Sequence, residues 1–188
     1  MKHIRKQSGF TLVELLIVAI ILAILAAIVV PQFASTTTDA QESALKANLS
    51  AVRGAIDLYR QQHNEYPALS ASAGGTCTGG TAGTGALETQ PAFEQQLGRY
   101  TNATGQSCSL TLSGSFQYGP YVKEDALPAN PITGSNVLAI VGAGAGTAGD
   151  LEMPADGAGL GWKYDVTSGK FIANDSNLDS GGNRYDSY

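Results

Sequence analysis

The hydrophobic and polar positions begin with an abrupt change. A basic leader, residues 1–9, is followed by an almost unbroken apolar run, Phe10 to Val30, that contains one carboxylate, Glu14. As a helix, this run is long enough to cross a bilayer core of about 30 Å. The basic leader is expected to stay on the cytoplasmic side. An ionisable group inside such a run is costly unless something neutralises it, so Glu14 is predicted to be functional.

The next stretch, residues 31–66, is predicted to be an amphipathic helix. Its apolar residues recur every three or four positions and therefore share one helical face. That face consists of Leu45, Leu49, Val52, Ile56 and Tyr59. Pro31 is predicted to kink the helix because proline lacks the backbone N–H. Pro67 is predicted to mark its end because the residue before a proline disfavours the helical conformation.

Residues 67–188 are predicted to form a globular β-sheet head. The head begins with a Gly-, Ser- and Thr-rich loop, residues 68–105, in which a short helix is predicted at 91–100. Strands are predicted at 107–112, 136–141, 161–166 and 170–173. Trp162 and Tyr164 are expected in the core. The predicted fold class is therefore α+β, with a long N-terminal helix packed on a small antiparallel sheet.

Composition and charge argue against several functions. The formal net charge is −5 and no Lys/Arg cluster follows the leader, so no nucleic-acid contact is expected. Residues 142–147 are rich in glycine but lack the ending of a phosphate-binding loop. His63 is the sole histidine beyond the leader and is expected to face solvent. A hydrolase triad is therefore not expected, and neither is an enzyme.

The sequence Gly9-Phe10-Thr11-Leu12-Val13-Glu14 resembles the processing motif of type IV pilins and type II secretion pseudopilins. The resemblance implies that a prepilin peptidase/methylase cleaves between Gly9 and Phe10 and methylates the new Phe10 amine. It also implies a pilin fold, with Pro31 at the position where many members interrupt the helix.

Cleavage would leave an ammonium group on Phe10, close to the Glu14 carboxylate. Opposite charges attract far more strongly at low dielectric than in water. The two groups could pair within one chain or between neighbouring chains. Pairing between chains would neutralise both groups and set the register of a filament, so Glu14 is predicted to be the assembly residue.

The implied role is that of a structural filament subunit, most consistent with a pseudopilin of a type II secretion system. Segments 127–134 and 161–166 are similar to the heads of major pseudopilins. A pilin of a surface pilus for adhesion, motility or DNA uptake is the alternative. A membrane-anchored enzyme or binding module that acts as a monomer is the alternative from another class.

The implied location is the bacterial inner membrane, crossed once, with the head on the periplasmic side. The implied partners are other copies of the chain in a helical filament, minor pilins or pseudopilins, and the peptidase. An inner-membrane assembly platform and membrane lipid complete the expected set.

Two further sites are predicted in the head. Cys77 and Cys108 are expected to form a disulfide in an oxidising exported compartment, worth about 3–4 kcal/mol, with two free thiols as the alternative. The C-terminal tail places four oxygen-bearing residues at the first, third, fifth and twelfth positions of a calcium loop. They are Asp175, Asn177, Asp179 and Asp186. The family resemblance favours Ca²⁺ there, whereas the missing glycine at the sixth position favours a solvated tail. No other cofactor is expected.

Overall fold

The computed structural model describes residues 9–109, 114–143 and 153–188, without the side chains of residues 29–35. The chain divides into two compact units, Met1–Ala40 and Gln41–Tyr188. The predicted boundaries at residues 9, 30 and 66 stay predictions. Residues 110–112 of a predicted strand and residues 144–147 of the glycine-rich loop lie outside the described residues.

The first helix, α1, comprises Leu12–His63. It ends because Asn64 adopts a positive φ of 57°, a left-handed conformation that asparagine tolerates after a helix. Pro31 falls within this range, but its side chain is outside the described part, so the kink stays a prediction. The membrane span predicted at Phe10–Val30 is not confirmed. Among the described residues, no helix is both long and apolar enough to cross a membrane.

The apolar face predicted for the second half of α1 is confirmed. Each of its five residues, from Leu45 to Tyr59, is at most 4% exposed. They join the main core of the head together with Trp162 and Phe171. Burying one such side chain stabilises the fold by about 1.5–3 kcal/mol, so this face fixes the helix to the head.

A second helix, α2, comprises Gln90–Gly98 and agrees with the helix predicted at 91–100. Thr89 caps it, since its side chain accepts a hydrogen bond from the Ala92 N–H. Phe93 points into the core, where its ring centroid lies 4.6 Å from that of Tyr164. The short helix therefore closes one side of the core.

The glycine-rich stretch around α2 has little regular secondary structure, but hydrogen bonds connect its parts. Gln96 is fully buried; its amide accepts from the Ala68 N–H at 2.6 Å and donates to the Gly105 carbonyl at 2.9 Å. Gly83 donates to the Ser107 carbonyl at 2.8 Å, and any Cβ at this position would collide with the Ser72 carbonyl. Glycine is needed here for close backbone approach.

Two very short strands follow, β1 (Tyr100–Thr101) and β2 (Ser107–Cys108), which pair antiparallel. The main sheet has three strands in the order β3-β4-β5. They are β3 (Leu138–Val141), β4 (Trp162–Asp165) and β5 (Phe171–Ala173).

The prediction of an α+β fold with a small sheet is confirmed, and the predicted antiparallel pairing holds for part of the sheet. The hairpin between β4 and β5 is antiparallel as predicted, whereas β3 pairs with β4 in parallel. The connection at residues 142–161 exceeds the dozen or so residues that a parallel crossover needs. The sheet is therefore mixed.

Strand β4 is buried on both faces. Trp162 and Tyr164 lie in the core as predicted, and the Tyr164 hydroxyl donates to the Pro67 carbonyl at 3.1 Å. Lys163 and Asp165 are buried as well. The Lys163 ammonium is paired with Asp156 at 2.6 Å and donates to the Pro154 carbonyl at 2.9 Å. This pairing offsets the cost of burying the charge.

Candidate functional site: the N-terminal segment

The peptide bond between Gly9 and Phe10 lies in an exposed, non-helical segment just before α1. Both residues are exposed, and the Phe10 side chain is 84% exposed. Among the described residues, none places an atom within 4 Å of a Cβ built on Gly9. The segment is therefore open to another protein, as the predicted cleavage requires.

Glu14 closes the N-terminus of α1 together with Thr11. The backbone N–H and the hydroxyl of Thr11 both donate to Glu14 Oε2 at 2.8 Å, and Glu14 N–H donates to Thr11 Oγ1 at 3.2 Å. This reciprocal arrangement is a capping box, with a threonine at the cap and a glutamate three residues later. The carboxylate thus already has a role within its own chain, which the sequence analysis missed although the Thr-x-x-Glu spacing is its signature.

The first turns of α1 expose apolar side chains in all directions. Twelve large apolar residues between Leu12 and Ile28 are each more than half exposed. They are Leu12, Val13, Leu15, Leu16, Ile17, Val18, Ile20, Ile21, Leu22, Ile24, Leu25 and Ile28. A helix that is apolar all round is normally buried in a larger assembly or in lipid. The arrangement can therefore bind other apolar surfaces.

Cys77 and Cys108 form a disulfide in the structure, with their Cα atoms 5.5 Å apart. The bond joins the glycine-rich stretch to β2. Ala82 forms a β-bridge with Cys108, so the cross-link lies within a region already held by backbone hydrogen bonds.

Two of the four residues predicted to bind calcium have their carboxylates engaged within the chain. Asp186 forms an ion pair with Arg184 at 2.6 Å. Asp179 accepts from the backbone N–H groups of Gly181 and Asn183 and from the Tyr188 hydroxyl, and the last of these hydrogen bonds contributes most to lowering the Asp179 pKa to about 2.

Asp175 differs from Asp179 and Asp186, since its Oδ2 is buried without a hydrogen-bond partner among the described residues. Nowhere among the described residues do three acidic, histidine or cysteine side chains lie close enough together to hold a metal. Calcium binding stays a prediction that this geometry does not support.

The C-terminal tail instead packs on α1, which the sequence did not predict. Glu42 Oε1 accepts from the Ser180 N–H at 2.9 Å and Oε2 from its hydroxyl at 3.2 Å. Arg53 donates to the Phe171 carbonyl at 2.9 Å and to the Tyr188 carbonyl at 2.5 Å. Two charged residues of the helix therefore fasten the tail to the head.

The expectation that His63 faces solvent is wrong. The ring is half-buried at the end of α1 and stacks on Tyr59, with the centroids 4.0 Å apart. Its Nε2 lies 2.9 Å from the Thr101 hydroxyl and 3.1 Å from the Tyr121 hydroxyl. Thr101 and Tyr121 are distant in sequence, so no local pattern around His63 could reveal this cluster.

The N-terminal segment matches one family model. Residues 4–30 match the model of the prokaryotic N-terminal methylation motif. This range contains Gly9, Phe10, Thr11 and Glu14, so the exposed bond and the capping box both lie within the matched motif. The chain carries this motif.

The N-terminal region is similar to type II secretion system core protein G from several bacteria. The protein of Pseudomonas aeruginosa is 44% identical over 63 residues, which are 34% of this chain and 44% of the relative. That of Vibrio cholerae is 39% identical over 67 residues, 36% of this chain and 46% of the relative. That of Escherichia coli is 33% identical over 67 residues, again 36% and 46%.

The chain thus spans less than half the length of the curated relatives it matches. No solved structure matches the chain. The similarity is therefore that of the N-terminal segment.

Proposed function

We propose that this protein is a structural subunit of a type II secretion pseudopilus and has no catalytic activity of its own. The observation that carries the proposal is the exposed Gly9–Phe10 bond immediately before a helix start that is capped by Thr11 and Glu14 and is otherwise apolar. The match to the methylation motif and the similarity to core protein G support it.

In this proposal, a prepilin peptidase cleaves after Gly9 and methylates the Phe10 amine. The new ammonium then lies close in sequence to Glu14, whose Oε2 is held by Thr11. The amine of a neighbouring subunit pairs with this carboxylate, and the pairing neutralises two charges in an apolar setting. Filament assembly replaces lipid around the exposed apolar residues with the helices of other subunits.

The proposed location is the bacterial inner membrane, with the N-terminal helix as anchor and the head on the periplasmic side. The proposed partners are further copies, minor pseudopilins, the peptidase, an assembly platform and membrane lipid. The disulfide between Cys77 and Cys108 is compatible with an oxidising compartment.

Deletion of the gene in the native host tests the proposal. Loss of protein secretion, with surface pili and motility unchanged, is the expected result, and the wild-type gene should restore secretion. Loss of pili or motility with normal secretion would instead indicate the alternative, a surface pilin.

Electron microscopy of the overproduced protein provides a second test. The wild-type protein is expected to form filaments that antibodies against the head label along their length. If the protein stays monomeric in the membrane of a host with a complete secretion system, the filament proposal is wrong.

A further inference from the structure

His63 joins three segments of the head that are distant in sequence. It ends α1, and its Nε2 lies within hydrogen-bonding distance of Thr101 in β1 and of Tyr121. Tyr118 adds an edge-to-face contact, with the ring centroids 4.9 Å apart. One side chain therefore connects the helix end to β1 and to residues 118–121.

Backbone hydrogen bonds and the pairing of β1 with β2 hold these segments together with this cluster. Thr101 is fully buried and forms a β-bridge with Tyr118. The Tyr121 hydroxyl donates to Gln62 Oε1 at 2.7 Å, so Tyr121 also contacts the end of α1 next to His63. A change in the protonation of the imidazole would therefore alter contacts with both β1 and residues 118–121.

The groups that face the imidazole in the described part of the chain are hydroxyls and aromatic rings, with no carboxylate among them. They are Tyr59 from α1, Thr101 from β1, and Tyr118 and Tyr121. Burial raises the pKa of Tyr121 to about 12, so its phenol carries no charge near neutrality.

Among the described residues, the charged neighbours of His63 along the chain do not supply a counter-ion either. The Arg60 guanidinium lies over the Tyr66 ring at 4.1 Å, and Glu65 acts on Tyr59, whose pKa is raised chiefly by burial. An imidazolium at this position would thus be half-buried and without an opposite charge against it.

Burial accordingly lowers the pKa of His63 below its usual value of 6.5, an effect that the nearby Ala103 backbone opposes in part. A group whose pKa is lower in the folded state binds fewer protons there than in the unfolded state. The stability it contributes is fully present above about pH 6.5 and declines as the pH falls below that value towards its folded pKa.

We propose that His63 is a pH-sensitive latch, which holds the end of α1 to β1 and to residues 118–121 at neutral pH and releases them in mildly acidic solution. Protonation makes both ring nitrogens donors and places a charge among neutral aromatic rings. The released segments border the disulfide-linked loop, because β1 pairs with the β2 strand that carries Cys108. The latch would make this part of the head respond to the acidity of its compartment.

Hydrogen exchange of the full-length protein in detergent, at about pH 7.5 and about pH 5 and corrected for intrinsic rates, tests the latch. Residues 100–106 and 117–122 are expected to lose protection at the lower pH in the wild type. His63→Gln keeps hydrogen-bonding groups but cannot titrate there, so its protection should change much less between the two conditions.

An NMR titration of the wild-type histidine side chains keeps the test valid if His63→Gln is poorly folded. The signal missing from that variant identifies His63 and separates it from His3 in the leader. A pKa below 6.5 is expected. A pKa of 6.5 or above, or the same pH dependence of exchange in His63→Gln and the wild type, would overturn the proposal.

Discussion

Thr11 and Glu14 close the start of α1 with two hydrogen bonds of 2.8 Å that share one acceptor, Glu14 Oε2. The carboxylate that looked anomalous in an apolar run is thus also a helix cap. Glu14 therefore has two roles: it caps the helix within its own chain and, in our proposal, its charge pairs with the amine of a neighbouring subunit. These roles can be separated because glutamine can form the capping box but carries no charge.

Glu14→Gln is therefore expected to keep the helix start intact and to be cleaved after Gly9, yet to assemble poorly. The reason is that the neighbour's ammonium loses its counter-charge. Cleavage is measured by N-terminal sequencing and assembly by sedimentation of sheared filaments. Glu14→Asp, which retains the charge on a shorter side chain, is the matched control and should assemble better than Glu14→Gln. Normal filaments from Glu14→Gln would rule out the charge-pairing mechanism.

Thr11→Ala tests the cap in isolation. The variant removes the hydroxyl that exchanges hydrogen bonds with Glu14, and loss of a threonine cap costs about 1 kcal/mol. Faster hydrogen exchange is expected in the first turn of α1, with no change in the head. An unchanged first turn would show that the capping box does not stabilise the helix start in the intact protein.

Replacing both cysteines, Cys77→Ser with Cys108→Ser, is expected to lower the free energy of unfolding by about 3–4 kcal/mol, because the unfolded chain regains loop entropy. Urea unfolding of the oxidised wild type and the variant measures the difference. Reduced wild type serves as the control and should resemble the variant. Equal stability of the oxidised and reduced proteins would contradict the prediction.

Glu42→Gln is expected to loosen the C-terminal tail. Both carboxylate oxygens accept hydrogen bonds from Ser180, and an amide can replace only one acceptor, so we expect a loss of about 1–3 kcal/mol. Limited proteolysis of the tail and urea unfolding report the change. Glu65→Gln, at an exposed site, is the control. Equal rates of tail cleavage in the two variants would show that Glu42 does not hold the tail.

The parts of the fold that follow from local periodicity could be predicted from the sequence. The face from Leu45 to Tyr59 has helical spacing, and it is buried along its whole length. The hairpin at β4 and β5 follows from alternation around Thr167-Ser-Gly169. Both depend on residues close together in the chain.

The parts that depend on distant partners could not be predicted in this way. The parallel pairing of β3 with β4 depends on a long connection. The burial of His63 depends on Thr101 and Tyr121, which are distant in sequence. Lys163 alternates with Trp162 and Tyr164 along β4, but it is buried too, because Asp156 and Pro154 cover its ammonium. The Thr11–Glu14 cap differs from these, because its Thr-x-x-Glu spacing is local and is sufficient to predict a capping box.

The N-terminus of the protein recovered from its native host tests the central claim most directly. Mass spectrometry of the intact chain and of its N-terminal peptide should find a protein that begins at a methylated Phe10. A functional protein that still begins at Met1, with residues 1–9 attached, would contradict the account.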